Sequence, residues 1–510
     1  MAPNIVVAID LGTSRSAWAY SITGRAENDI IIRVPQGSHA SESAMKTETA
    51  ILLGTESRDV IAFGRAARER FIEEAEENEL DDDGGSASNV KNVGHLVAAT
   101  SMFFRWFKVQ LCTPRGYTSV HDPVATAEGG EQIPLLHVMA AALRHFKGDA
   151  LAHLSSVSEV RQGVEDVQWV VTIPAIYDDF AKRFMREAAF EAGMTTSIDS
   201  SSLSLCLEPE AACLAVNVKE APLLCGAGAK AMILDCGGGT VDIATHEVLS
   251  VKPLRLKEVL PPTGGPWGST CIDGKFNGWC KMLLGADAYL KVQRTSAFYN
   301  LMTQWEGGKT RFGGGEDERV RLNMVDELRE SFNNNYHRDS SELQVKGRKF
   351  LVILPSALVK SFFQATLTSI ASCLRDLRRD PALCDLKHVF LVGGFSSSPL
   401  LQEIARAELD GDGCAVVGAL RPDVAIVRGA VLFAAHTTVF TTRKARLTYG
   451  VVTSIRYDDS DPEHVRRRAK VPFYHDKGME LISVFDPHVL VGEDIPHDGG
   501  CGTQSYEPVL

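Results

Sequence analysis

Two segments far apart in the chain carry the same set of residues capable of chemistry. Val6 to Ile22 reads VVAIDLGTSRSAWAYSI, and Ala231 to Val248 reads AMILDCGGGTVDIATHEV. Each is an apolar run, an aspartate (Asp10, Asp235), a glycine turn with a hydroxyl, and a second alternating run. An aspartate ending a core strand must be hydrogen-bonded, paired or bound to a cation, because an isolated buried charge is very costly. Capping the turn would explain one such segment. Two of the same design make a functional role the better reading. Glycine turns let backbone N–H groups approach phosphate oxygens, and threonine hydroxyls add donors. Carboxylates cannot bind phosphate directly, but they hold Mg²⁺ through its waters while the phosphates supply other ligands. Asp10, Asp235 and Asp242, with Gly12, Thr13, Gly237, Gly238, Gly239 and Thr240, meet that need if two lobes face each other.

The elements around these turns alternate. QWVVTIPAIYDDFAKRFMREAAFEAG (168–193) reads as a strand, a proline turn and an amphipathic helix with Phe180, Phe184 and Ala188 on one face. LCLEPEAACLAV (205–216) reads as a strand entering an alanine-rich helix, with Glu208 and Pro209 at its start. HVFLVGGFSSSPLLQEIA (388–405) reads as a buried strand, a glycine turn, capping serines and a helix. Arg421 to Ala435 supplies another helix, and FIEEAEENELDDDGG (71–85) is a solvated helix end and loop. Strands alternating with helices predict α/β layers. After Thr441 the pattern weakens.

The 510 residues are too many for one ordinary core, so two or more domains are expected. Hydrophobic content of 45% and charged content of 23% are those of a soluble globular chain. A net charge of −12 argues against a general binder of nucleic acid or anionic membrane. No apolar run suggests a membrane span, MAPNIVVAID does not read as a signal peptide, and the eleven cysteines form no Cys-x-x-Cys pair. The compartment expected is reducing, cytoplasmic or nuclear.

Two rival nucleotide motifs fail. A dinucleotide fingerprint opens a helix, whereas both turns here open into strands. Gly308-Lys309-Thr310 imitates the end of a P-loop, but Thr303 stands where the first glycine belongs.

These residues resemble the heat shock protein 70 family of the actin-like ATPase superfamily. AIDLGTS resembles its first phosphate loop, ILDCGGGTVDIA its second and VFLVGGFSSSPLLQE its adenosine segment. WVVTIPAIYDD and LCLEPEAACLAV resemble the stretches joining its lobes, and the matches keep the family's order from Val6 to Ala435. GGPWGSTCID (264–273) and KARLTYGVV (444–452) point to the divergent heat shock 70 kDa protein 12 branch, which has no ordinary peptide-binding domain. About seventy residues follow Thr441, without the family's apolar interdomain linker or acidic tail. The resemblance implies an α/β actin-like (ribonuclease H-like) fold with two similar lobes around a nucleotide cleft. Residues 1–224 and 225–440 would form the lobes, and 441–510 a short remnant of a β-rich region.

By resemblance, Asp10, Asp235 and Asp242 organise Mg²⁺ and the attacking water, with Asp10, Asp235 and Glu208 beside the metal. Thr13, Ser14, Thr240 and Gly268 belong to the phosphate loops, and Lys108 approaches the γ-phosphate of ATP. Glu306 and Lys309 contact ribose, while Gly393, Gly394 and Asp423 line the adenosine pocket. Simpler readings stand beside several of these. Glu208 suits a helix N-terminus, and Lys108 could snorkel from an amphipathic helix. Glu306 and Lys309 could form an exposed i, i+3 pair, and Asp423 could cap the helix after it. Thr310 and Ser397 stand where two family arginines sandwich adenine, which removes cation–π contacts. Pro174 matches the lobe-switch proline, but Lys182 replaces its relay arginine. The expectation is an ATP/ADP- and Mg²⁺-binding, chaperone-like ATPase with protein clients or co-chaperones as partners and no nucleic acid. The alternatives are a nucleotide-sensing scaffold and, behind it, a sugar-kinase-like phosphotransferase.

Overall fold

The computed structural model describes residues 5–22, 29–33, 45–83, 101–112, 116–157, 167–220, 226–324, 344–346, 350–409, 413–419, 421–436, 438–468, 473–476 and 479–497. The tail SYEPVL, the Gly84–Gly85 end of the acidic run and the 224/225 lobe boundary lie outside them. The chain is a mixed α/β protein that divides into two compact units.

The larger unit comprises Met1–Cys225, Ala231–Ala244 and Thr263–His436. In its first sheet, strand Ile5–Leu11 runs parallel to Val167–Ile173 and antiparallel to Arg15–Ile22. Val167–Ile173 runs parallel in turn to Leu203–Leu207. All seven residues of Ile5–Leu11 are buried, which is why the strand reads as an unbroken apolar run ending in an acid. Helices Leu135–Ser156 and Asp179–Glu191 pack on this sheet through Phe146, Phe184 and Ala188. The Asp178 side chain caps the second helix by accepting from the Ala181 N–H.

Strand order repeats. The first sheet runs Leu203–Leu207, Val167–Ile173, Ile5–Leu11, Arg15–Ile22, Ile31–Arg33. The second places Ala415–Gly418, Leu386–Val392, Lys230–Cys236, Val241–Val251 and Leu254–Gly265 in the same relation. Asp10 and Asp235 therefore sit near the ends of equivalent central strands. Helices Glu208–Glu220 and Ala425–Ala435 cross closely. A Cβ on Gly429 would come within 1.6 Å of the Ala211 carbonyl oxygen, so only glycine fits there.

Among the described residues, helix Ser356–Arg378 has the length and apolar composition of a membrane span, which the sequence reading passed over. In this fold its Phe362 meets the rings of Phe276, Trp279 and Trp305, and its Phe363 meets Phe312, as in a core helix.

The smaller unit comprises Gly226–Lys230, Thr245–Pro262 and Thr437–Leu510. Past Thr441 the chain continues as strands, with Tyr449–Arg456, Met479–Val489 and Phe473–Asp476 forming a three-stranded sheet. Val452 and Phe485, cross-strand neighbours, are both exposed, so apolar residues on this face do not report a core.

Candidate functional site

The site is built where the two glycine turns of the larger unit meet. A Cβ on Gly239 would approach Thr13 Oγ1 to 2.2 Å, and one on Gly238 would approach Ser14 Oγ to 2.1 Å. Gly268 backs the second turn: its N–H donates to the Gly239 carbonyl at 3.1 Å. Gly393, at φ 82°, lies against Asp235, where a Cβ would come within 2.4 Å of Oδ1. The turns border a cavity of about 640 Å³. Every residue expected at the site lines this cavity except Asp242 and Gly268, which stand behind it.

Four carboxylates are buried around one end, and they are not alike. Asp10 Oδ2 accepts from Lys46 Nζ at 2.5 Å and Oδ1 from the Thr172 hydroxyl at 3.1 Å. Glu208 Oε1 accepts from Lys108 Nζ at 2.6 Å. Asp242 Oδ1 accepts from the Ile176 backbone N–H at 3.0 Å, within the turn that follows Pro174. Asp242 Oδ2 and both oxygens of Asp235 are buried without a hydrogen-bond partner. Burial above all, with Glu208, Asp242 and Asp10 adding repulsion, pushes the Asp235 carboxyl well above the usual range. Burial and then Glu208 push Asp242 up to about 7. Burial likewise raises Glu208, against the pull of Lys108. Burial opposes the Lys108 ammonium, but Glu208 overrides it and raises its pKa.

Lys108 is aimed by a tight turn. Trp106 takes the left-handed φ of 55° between strand Ser101–Arg105 and the 3₁₀ turn Phe107–Cys112. The Arg105 guanidinium lies 4.3 Å from the Trp106 ring centroid and pairs with Glu128 at 2.5 Å. The Tyr177 hydroxyl donates to the Lys108 carbonyl at 3.2 Å. Lys108 is thus a buried cation with a buried partner, and surface snorkelling does not describe it.

The remaining candidates also settle. Glu208 both opens helix Glu208–Glu220 and faces the cavity. Lys309 pairs with Glu306 at 2.5 Å, but it is buried, and Asp273 grips the same ammonium through both oxygens at 2.8 and 2.9 Å. Trp305 Nε1 donates to Asp273 as well, at 2.9 Å. Asp423 makes no capping bond to helix Ala425–Ala435; it pairs with Arg421 at 3.2 Å. The Thr310 hydroxyl donates to the Glu306 carbonyl at 2.6 Å, and the Ser397 hydroxyl to the Gly394 carbonyl at 2.8 Å. Both are satisfied inside the protein. Lys182 forms only a surface pair with Asp179 at 3.0 Å. Sequence reasoning missed Lys46 and Asp273. Lys46 lies three residues before the Thr-Ala-Ile-Leu-Leu stretch, with no motif to flag it, whereas Asp273 stood inside GGPWGSTCID.

The donor set suits a nucleotide phosphate chain with a divalent cation. Partnerless buried carboxylate oxygens call for a cation, and Gly238 and Gly239 let the second turn pack directly against Ser14 and Thr13 of the first, so backbone N–H groups of both turns lie close together. Among the described residues no three His, Cys, Asp or Glu side chains converge to ligate a metal directly. An ion there would be held through waters and phosphate oxygens.

The strand-order repeat, with glycine turns meeting over buried carboxylates, agrees with what the relatives of this sequence show: the chain belongs to the heat shock protein 70 family. It lies in the divergent branch represented by heat shock 70 kDa protein 12A of Homo sapiens. The two are 32% identical over 556 aligned residues, covering 96% of this chain and 78% of that protein. Heat shock 70 kDa protein 12B of Homo sapiens is 29% identical over 509, covering 88% and 71%. Chaperone protein DnaK of Mycoplasma mycoides is 20% identical over 437, covering 85% and 59%. A scan against protein-family models finds no match.

Proposed function

We propose that this protein binds ATP and Mg²⁺ and hydrolyses the nucleotide, with the larger unit working as two lobes, one around each glycine turn. The observation that carries the reading is the cluster of buried carboxylates, three of whose oxygens lack partners, beside touching glycine turns. Family membership supports nucleotide binding independently. In this reading the turn N–H groups and the Thr13 and Thr240 hydroxyls hold phosphate oxygens. Lys108, fixed by Glu208, faces the terminal phosphate. Asp242, whose carboxyl is held above the ordinary carboxylate range by burial in the ligand-free site, would take a proton from the attacking water. A bound Mg²⁺ would neutralise phosphate charge during transfer. Nucleotide bridging both turns would hold the lobes closed, and its loss would free them. Chaperone-like work on protein clients follows from the family name and belongs to the same proposal.

Calorimetry with ATP and ADP, with and without Mg²⁺, followed by a phosphate-release assay, tests this. Binding and release are expected, with release lost in Asp242→Asn. Binding without release would favour the non-catalytic scaffold. That second reading draws on the Thr310 and Ser397 hydroxyls, both turned to backbone carbonyls.

A further inference from the structure

Lys46 occupies a built position. Its flanking strand, Thr47–Glu48, pairs antiparallel with Arg15 and Ser16, immediately after the first glycine turn. The Thr49 N–H donates to the Ser14 carbonyl at 2.8 Å, and the Thr49 and Ser16 hydroxyls bond at 2.6 Å. Thr47 and Thr49 are buried, so the backbone on either side of the turn is fixed. From there the Lys46 side chain, 15% exposed, lines the cavity and reaches Asp10. The two lysines divide the carboxylates: Asp10 and Glu208 each hold one, while Asp235 and Asp242 hold none. A cation on a flexible stem, held by one carboxylate and open to the cavity, is free to turn to a stronger polyanion.

The geometry points to Lys46 as a phosphate-binding residue that lets this chain hold a nucleoside triphosphate with little help from a divalent cation. The inference rests on the nucleotide reading above and adds to it. Arriving phosphates take Lys46 from Asp10, and the freed carboxylate joins Asp235 and Asp242 in facing whatever cation accompanies the nucleotide.

The test is calorimetry of ATP and of adenosine, in excess Mg²⁺ and in EDTA, for wild type, Lys46→Met and Lys46→Arg. Wild type should bind ATP in EDTA within about tenfold of its affinity in Mg²⁺. Lys46→Met should lose about ten- to a hundredfold in EDTA, the weight of a charge-assisted bond, and only a few-fold in Mg²⁺. Lys46→Arg should stay near wild type in both. Adenosine, which has no phosphates, should bind all three proteins alike. Wild type that binds ATP in Mg²⁺ but not in EDTA overturns the inference while sparing the nucleotide reading. So does Lys46→Met that equals wild type in EDTA, or that loses adenosine as much as ATP. Wild type that binds no ATP even in Mg²⁺ takes down both.

Discussion

The two glycine turns share a plan and differ in charge. Around the first, Asp10 and Glu208 each meet a lysine at 2.5 and 2.6 Å. Around the second, Asp235 has no partner on either oxygen and Asp242 has one on only one of two. Repeating a backbone does not repeat its electrostatics. Lys46 and Lys108 come from segments before and after helix Arg65–Asp83, and their ammonium groups bond to Asp10 and Glu208. The first half of the site is therefore neutralised by the chain itself, and the second is left in need of a cation. Burying charge without a partner lowers stability, and proteins tolerate that where function requires it.

The largest effect expected is at the buried pair. Lys108→Met leaves the Glu208 carboxylate buried without its cation and should lose about 3–5 kcal/mol in denaturant unfolding at pH 8. Burial already holds the Glu208 pKa up, so the loss should shrink as pH is lowered and the group takes a proton. Adding Glu208→Gln should recover most of it. A Lys108→Met protein as stable as wild type would mean that the first turn is no better neutralised than the second.

The second half should respond to pH in its own way. Asp242 is raised from the ordinary carboxylate value to about 7, so the folded state holds its proton more tightly than the unfolded state does. Stability from this group is fully present below about pH 4 and is lost as pH rises to about 7. The stability of the ligand-free protein relative to Asp242→Asn should fall by on the order of 2–4 kcal/mol across that window. Melting curves in EDTA from pH 4 to 8 measure it, and parallel curves would place Asp242 in contact with water or a cation of its own.

The sharpest comparison is one substitution at two matched positions. Asp10→Asn removes the charge that holds Lys46 and should destabilise the ligand-free protein by about 1–3 kcal/mol. Asp235→Asn removes a carboxyl whose ionisation burial opposes and should stabilise it by up to a similar amount, increasingly as pH rises. Chemical denaturation in EDTA reads both. Equal signs would erase the difference between the turns.

Much of this site was legible in the sequence because its residues lie within a few positions of one another. A strand, an acid and a glycine turn form a local pattern, and seeing it twice exposed the repeat. Glu208 was found through resemblance, since a helix start alone suits a carboxylate without assigning it to a site. Lys46, and the grip of Asp273 on Lys309, depend on segments brought together only by folding. Lys108 was found through resemblance, but its burial depends on the left-handed turn at Trp106, which nothing in FFRWFKVQL announces. The strands after Thr441 were hard to see because exposed apolar residues such as Val452 and Phe485 blur the alternation that marks a half-buried sheet.

The smallest effect concerns the other end of the cavity, where Thr310 and Ser397 replace the two arginines that the family resemblance implies. Neither hydroxyl is turned to a ligand: each donates to a carbonyl three or four residues earlier. Lys309 is held by Asp273, and Arg421 is paired with Asp423. The rings left along the wall are Phe363 and Phe395. An apolar ring stacks on any base, whereas reading one base against another needs a free hydrogen-bonding group. The Ser398 hydroxyl, buried without a partner on the same wall, can donate or accept and so suits either base, and ATP and GTP should therefore bind within a few-fold of each other, with affinity carried by the phosphate end. Thr310 is half-buried and Ser397 exposed, so each restored arginine should add only about 0.5–1 kcal/mol of cation–π attraction. Thr310→Arg with Ser397→Arg should then tighten ATP by roughly five- to thirtyfold. GTP, whose ring can stack as well, should gain nearly as much. Titrating both nucleotides into both proteins measures the effect. A wild-type protein that already prefers ATP tenfold over GTP would show that backbone groups around Gly394 read the base. The difference between the two halves of the site would then extend to its far end.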